Sequence, residues 1–314
     1  MDFPRKVSLF EVAPRDGLQN ERAIVPTDRK ISLINRMTRA GYRDIEVGSF
    51  VSPRWIPQLA DTEAVLAGIE RAPGVRYWVL VPNHKGFERA VVAGVSHIAV
   101  FMSSSESHNK KNVNRTIAES QRDLAEVIGE ATSRGMTVRA YVSTVFGCPY
   151  EGDVPVEKVE EVAASLLEAG AFQVSLGDTI GVANPAQVQR VMAHLTRSLP
   201  LDKLALHFHD TRGTGLANCL AGLQAGVTTF DAALGGIGGC PFAPTATGNL
   251  STEDLLNMLT SMGVNTGLQT DEVADIGLLL RDVLGRELPS RYHHYYAGLR
   301  QRSRARAELS AAVS

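Results

Sequence analysis

Short runs rich in β-branched residues alternate along the chain with longer stretches in which apolar positions recur every three to four residues. The short runs are Val7–Val12, Asp44–Val47, Tyr77–Val81, His97–Met102, Val138–Ser143, Gln173–Leu176, Leu204–His209 and Thr229–Ala233. The longer stretches predict helices over Thr27–Ala40, Arg115–Arg134, Val156–Ala169, Pro185–Ser198, Gly215–Ala225 and Thr252–Met262. Gly41, Gly135, Gly170 and Gly263 follow four of them as stop signals, and Pro155 and Pro185 read as first-turn prolines. Glu253 and Asp254, just after Ser251 and Thr252, place acidic groups at a helix start, where the dipole favours them. From Asp271 onward the pattern predicts one or two further helices, ending in the basic segment Arg300–Arg306.

Eight strand-then-helix units without a break in composition predict an α/β fold of the (β/α)8 TIM-barrel type, with additional C-terminal helices. A doubly wound open sheet is the alternative, disfavoured because no GxGxxG follows the first strand. The expected organisation is one domain over 1–300 with a flexible tail over 301–314.

Lys plus Arg number 32 and Asp plus Glu 34, a formal net charge of −2, which gives no electrostatic case for nucleic acid or an acidic membrane surface as partner. The three cysteines, Cys148, Cys219 and Cys240, form no CxxC, so neither a disulfide framework nor a zinc ribbon fits. The first residues carry no hydrophobic signal segment, and no apolar run approaches the ~18 residues of a spanning helix. A cytoplasmic protein is expected.

A barrel demands that functional residues lie at the C-terminal ends of its strands or just beyond them. After the first strand comes Glu11-Val12-Ala13-Pro14-Arg15-Asp16-Gly17-Leu18-Gln19-Asn20-Glu21. A guanidinium beside a carboxylate there can bind an anionic oxygen next to a metal. Glu46, in an apolar stretch ending the second strand, needs a partner, and Arg15 is the natural one, which makes Glu46 an orienting group rather than a base. In Leu204-Ala205-Leu206-His207-Phe208-His209-Asp210 the two histidines are two residues apart and share a strand face. A pair of hydrogen-bonded core histidines is the plain alternative; the position at a barrel mouth favours a metal site. After the eighth strand runs a glycine-rich loop, Gly235-Gly236-Ile237-Gly238-Gly239-Cys240-Pro241, whose thiol suits proton transfer better than packing. Asn249, just before a helix, reads as a cap, a ligand, or both. Asp178 and Thr179 end the sixth strand. Lys110, Lys111 and Asn112 lie in Ser103–Asn114, a segment able to hold phosphates or simply to be solvated. Cys148 and Cys219 are expected to pack structurally.

Taken together, Ala13-Pro14-Arg15-Asp16-Gly17-Leu18-Gln19-Asn20-Glu21, Gly239-Cys240-Pro241-Phe242-Ala243 and Gly248-Asn249 give the chain its likeness: it resembles the 3-hydroxy-3-methylglutaryl-CoA lyases of the DRE-TIM metallolyase superfamily, up to about Gly277. The resemblance implies Mg2+ or Mn2+ held by Asp16, His207, His209 and Asn249. It implies Arg15 facing the thioester oxygen, Cys240 as the loop acid/base, and Glu46, Asp178 and Glu253 as further active-site carboxylates. Contacts to substrate or CoA are implied for Arg15, Gln19, Ser49, Lys111, Asn112 and Thr179. The expected reaction cleaves hydroxymethylglutaryl-CoA to acetyl-CoA and acetoacetate, with Asp16 or His207 taking the hydroxyl proton, in a homodimer. Two segments, Arg212-Gly213-Thr214-Gly215 and Pro244-Thr245-Ala246-Thr247, depart from the usual family pattern. The runner-up is accordingly a related lyase or aldolase acting on another 3-hydroxy-acyl-CoA or hydroxy acid.

Overall fold

The structure is a computed structural model that describes residues 3–240 and 243–313; for 240, 243–247, 304 and 306–313 it describes the backbone alone. Eight parallel strands close into a barrel in sequence order: β1 (Ser8–Glu11), β2 (Asp44–Ser49), β3 (Arg76–Leu80), β4 (His97–Ser103), β5 (Thr137–Ser143), β6 (Gln173–Asp178), β7 (Leu204–Phe208) and β8 (Thr229–Ala232). β8 returns to pair with β1, Ser8 opposite Thr229. Each predicted strand is present, its ends displaced by at most a few residues.

Among the described residues eleven α-helices surround and extend the barrel. They are α1 (Thr27–Arg39), α2 (Thr62–Gly68), α3 (His84–Val92), α4 (Glu106–Val113), α5 (Ile117–Ser133), α6 (Val156–Glu168), α7 (Pro185–Leu195), α8 (Gly215–Gln224), α9 (Thr252–Ser261), α10 (Thr270–Leu284) and α11 (Arg291–Val313). A short hairpin, β9 (Gly239–Cys240) with β10 (Ala243–Thr247), follows β8. The four stop-signal glycines all adopt left-handed backbone. Pro155 stands one position earlier than expected, at the N-cap of α6, whereas Pro185 opens α7. α4 lies inside a segment read as a loop: Ser105 caps it by accepting from the His108 N–H, and Asn114 ends it in left-handed conformation. Residues 301–313 continue α11, in keeping with their Ala, Arg, Glu and Leu content. No helix among the described residues is long and apolar enough to cross a membrane.

Apolar side chains on the outer strand faces, such as Ile45, Val79, Ile98, Val100 and Leu206, are fully buried against the helices. Each contributes about 1.5–3 kcal/mol by leaving water. The N-terminal end of the barrel is plugged by aromatic rings: Trp78 lies 5.5 Å from Phe10 and stacks on Phe172 at 5.6 Å. Asp44 ties this plug down, accepting from Trp78 Nε1 (2.8 Å) and from Arg76 Nε and Nη2 (2.6 and 2.7 Å). With that end sealed, chemistry is left to the opposite mouth.

Candidate active site

The segment after β1 forms a single π-helical turn, Ala13–Gly17. The Val12 carbonyl accepts three N–H groups, from Arg15 (3.2 Å), Asp16 (2.8 Å) and Gly17 (3.2 Å). Gly17 is required by close approach, since a β-carbon there would lie 2.5 Å from Ile237 Cγ1. The turn puts two consecutive side chains to joint use. Arg15 Nη1 meets Asp16 Oδ1 at 2.6 Å, and Arg15 Nε meets Glu46 Oε2 at 2.5 Å, the pairing anticipated from the sequence. Gln19 Nε2 donates to Asp16 Oδ1 at 3.2 Å. Burial raises the Glu46 carboxyl despite Arg15. Burial acts the same way on Asp16, but Arg15 and the two histidines outweigh it and hold that carboxyl below the usual range. The Arg15 guanidinium, 6% exposed, stays charged because Glu46 and Asp16 overcome its own burial.

His207 and His209 leave β7 on one face, ring centroids 5.3 Å apart. Asp16, His207 and His209 each offer a ligand atom, all within 4.8 Å of one another. His207 Nδ1 lies 3.2 Å from Asp231 Oδ2, which leaves Nε2 for a ligand. Burial lowers His207, but the Asp231 hydrogen bond and charge raise it above the ordinary histidine value. Burial, reinforced by His207, pushes His209 down to about 4, so this ring is neutral and able to ligate.

Asn249 joins the group through a backbone bridge to His209. Its Nδ2 donates to Asp16 Oδ2 (2.8 Å) and to the Ile237 carbonyl (3.1 Å). Its Oδ1 is buried without a hydrogen-bond partner among the described residues, as is His209 Nδ1. The capping role belongs instead to Ser251, whose Oγ accepts from the Asp254 N–H. A buried orphan amide oxygen beside one carboxylate and two imidazoles fits a divalent cation taking mixed oxygen and nitrogen ligands.

The other sequence-derived candidates are placed differently. Asp178 accepts from the Val182 and Ala183 N–H groups (2.9 and 3.1 Å), and burial lifts it to about 6. It organises the turn after β6. Thr179 Oγ1 accepts from the Thr144 N–H, and Ser49 Oγ from the Val51 N–H. Glu253 is wholly buried: its Oε2 accepts from the Gly235 N–H (2.7 Å) and Ser251 Oγ (2.9 Å), so its contacts are with the glycine-rich loop rather than with the Asp16 cluster. Lys111 and Asn112 are exposed in the last turn of α4, with Lys111 Nζ 3.8 Å from the Tyr150 ring centroid. The side chain of Cys240 lies outside the described residues. Cys148 and Cys219 are buried free thiols, Cys148 in contact with Ser105 Oγ at 2.9 Å.

Three partners went unread in the sequence. Asp231 on β8 holds His207, while Arg139 on β5 binds Asp231 (Nη2 to Oδ1, 2.6 Å). Glu11, at the end of β1, accepts from the Ala13 and Leu234 N–H groups, both at 2.9 Å. A charged residue inside an apolar strand is the signal that could have found them, the same signal that singled out Glu46.

Known proteins resemble this chain over most of its length. The HMGL-like family model matches residues 6–280. The hydroxymethylglutaryl-CoA lyase of Bacillus subtilis is 48% identical over 291 residues, which is 93% of this chain and 97% of that protein. The crystal structure of the Bacillus subtilis HMG-CoA lyase superposes with a TM-score of 0.93 at 47% identity, covering 95% of this chain and 100% of that one. An HMG-CoA lyase from Acinetobacter baumannii, solved in complex with coenzyme A and 3-methylmalate, gives 0.88 at 42% identity over 93% of this chain and 95% of its own. With a family match spanning most of its length and relatives close to half identical, the chain belongs to the HMGL-like family.

Proposed function

We propose that the protein is a divalent-metal-dependent carbon–carbon lyase that cleaves 3-hydroxy-3-methylglutaryl-CoA to acetyl-CoA and acetoacetate. The observation that carries this reading is the cluster Asp16, His207 and His209, with the orphan Oδ1 of Asn249, directly beside Arg15 in a chain 48% identical to a lyase of that name. A Mg2+ or Mn2+ ion held by these four residues would supply a Lewis acid that lowers the pKa of the substrate's C3 hydroxyl.

The remaining steps fall to the chain's own groups. Asp16 or His207 takes the hydroxyl proton. The C2–C3 bond breaks, C3 becomes the ketone of acetoacetate, and its bonding electrons pass to the acetyl-CoA fragment as an enolate. Arg15, locked by Glu46, faces the oxygen on which that charge develops. The Cys240 thiol gives its proton to C2. Lys111 and Asn112 are assigned to the CoA phosphates, and Gln19, Ser49 and Thr179 to the mouth that receives the thioester. A cytoplasmic homodimer completes the reading; the buried free thiols Cys148 and Cys219 suit a reducing compartment.

A coupled assay for acetoacetate with hydroxymethylglutaryl-CoA, with and without Mg2+, tests the proposal. Metal-dependent turnover is expected. No turnover with metal, or faster cleavage of another 3-hydroxy-acyl thioester, overturns it; the second outcome would trace to segments 212–215 and 244–247. Cys240→Ser is expected to slow turnover by roughly 10²–10⁴-fold, with metal affinity unchanged by calorimetry.

A further inference from the structure

One buried carboxyl group stands behind the barrel wall rather than inside it. On β1, Phe10 turns inward, its ring centroid 4.0 Å from Arg139 Cζ. Glu11, the next residue, therefore turns outward. It has no exposed surface.

Its partners belong to three different segments. Oε1 accepts from the N–H of Ala13, the first residue of the π-helical turn, and from the N–H of Leu234, at the root of the glycine-rich loop, both at 2.9 Å. Oε2 lies 2.8 Å from Thr252 Oγ1, at the start of α9. The first segment carries Arg15 and Asp16, the second leads into Gly239 and Cys240, and the third begins three residues after Asn249. Burial raises Glu11 to about 7, so both protonation states occur near neutral pH. A proton on Oε2 only reverses the bond to Thr252, whose hydroxyl donates or accepts. Oε1 keeps both N–H groups in either state.

The same three segments meet again in front, at the Asp16 cluster. Asn249 Nδ2 donates to Asp16 Oδ2 and to the Ile237 carbonyl. Backbone approach is tight there: a β-carbon at Gly17 would lie 2.5 Å from Ile237 Cγ1, and one at Gly238 would lie 2.5 Å from Asn249 Nδ2. Contacts this close have no room to absorb a displacement. A shift of one segment behind the wall is carried through to the front.

We infer that Glu11 is a positioning residue: from behind the barrel wall, one carboxyl oxygen sets the spacing between the π-helical turn and the glycine-rich loop, and with it the placing of Asp16, Asn249 and Cys240. The consequence for kcat rests on the proposed lyase reading; the consequences for metal affinity and backbone protection do not depend on the substrate.

Length and charge at position 11 separate this role from that of an acid. Glu11→Gln keeps the length and an acceptor oxygen for both N–H groups. Glu11→Asp keeps the charge but falls one methylene short of them. In the metal-loaded, full-length enzyme, Glu11→Gln should hold kcat within about threefold of wild type, while Glu11→Asp should lower it roughly ten- to a hundredfold with KM unchanged, as misplaced reacting groups do. Calorimetry with Mg2+ should find the Asp variant binding roughly tenfold more weakly and the Gln variant like wild type. Amide hydrogen exchange should quicken at 13–17 and 234–239 in the Asp variant. Should Glu11→Asp fail to fold, Glu11→Met, of matching length and without an acceptor, takes its place. The reverse order, Asp active and Gln inactive, would make Glu11 an acid or a charge partner and overturn the inference, as would equal loss in both. A lowered Tm in the Asp variant with wild-type kcat, metal affinity and exchange overturns it too. If the wild type does not cleave hydroxymethylglutaryl-CoA, metal affinity and exchange alone decide on Glu11, so the two ideas fail separately.

Discussion

Two charged clusters share the interior of the barrel, and they are built to opposite ends. In the lower one, Arg139 and Asp231 have no exposed side-chain surface. Asp231 accepts from Arg139 twice, from Ser175 Oγ (2.7 Å) and from His207; Arg139 Nε donates to Gln173 Oε1 at 3.1 Å. Burial alone would raise Asp231, yet Arg139 and His207 hold it down to about 2. In the upper one, Arg15 and Asp16 are joined by Glu46, the histidines and Asn249, and the group keeps orphan atoms: Glu46 Oε1, His209 Nδ1 and Asn249 Oδ1, with Tyr141 Oη nearby. The residue types are alike. What separates structure from chemistry is whether every polar atom already has a partner. His207 belongs to both clusters and transmits the rigidity of the lower one to the upper.

The sharpest way to break this contrast is Arg139→Met. It strands a buried Asp231, and unpairing such a charge costs about 3–5 kcal/mol. Chemical denaturation should show that loss; unchanged stability would mean the lower cluster is not structural. Arg15→Met is the opposite case. Without Arg15, burial alone acts on Glu46 and pushes its carboxyl further up, which favours the neutral form, so the fold should survive. Turnover should fall roughly 10²–10³-fold, as when an oxyanion donor is removed, and near-native kcat would deny Arg15 its role. The histidines sharpen the division. His209→Ala should weaken metal binding roughly tenfold or more with little change in the metal-free Tm. His207→Ala should do both, because it also strips a partner from Asp231. Calorimetric titration with thermal melts separates the two patterns, and identical profiles would erase the distinction.

The smallest expected effect is one of pH. Burial lifts Glu11 from the ordinary 4.5 to about 7 and Glu253 to about 8. Both bind their proton more tightly folded than unfolded. Their contribution to stability is therefore complete below pH 4.5 and lost as pH rises through about 7 to 8. Tm should decline by roughly a few degrees across that window, and Glu253→Gln should flatten the decline. A Tm that climbs over the same range in the wild type would contradict the assignment.

Much of this was legible from the chain alone. The strands could be read because both-face burial writes itself as a β-branched run, and the helix ends because left-handed glycines mark them. His207 and His209 were visible since residues two apart on a strand share a face by geometry. Asp231 and Arg139 were not, because their partnership spans 92 positions and exists only once the barrel closes. Glu253 was visible as an acid at a helix start, but its partners Gly235 and Ser251 were not, because the Gly235 N–H reaches it only once the loop after β8 folds back over α9. Helix α4 escaped because its pattern is polar up to Val113, leaving the Ser105 cap as the main evidence.

The π-helical turn after β1 bears on how this barrel can be altered. A turn closed on a single carbonyl, Val12, admits one length only. One residue fewer or more would rotate Arg15 and Asp16 by about a quarter-turn and part the guanidinium from the carboxylate. Loop engineering therefore has latitude after Glu21 but none between Val12 and Gly17. A transplant of the site to another barrel would have to bring along the bare glycine and the isoleucine that presses on it.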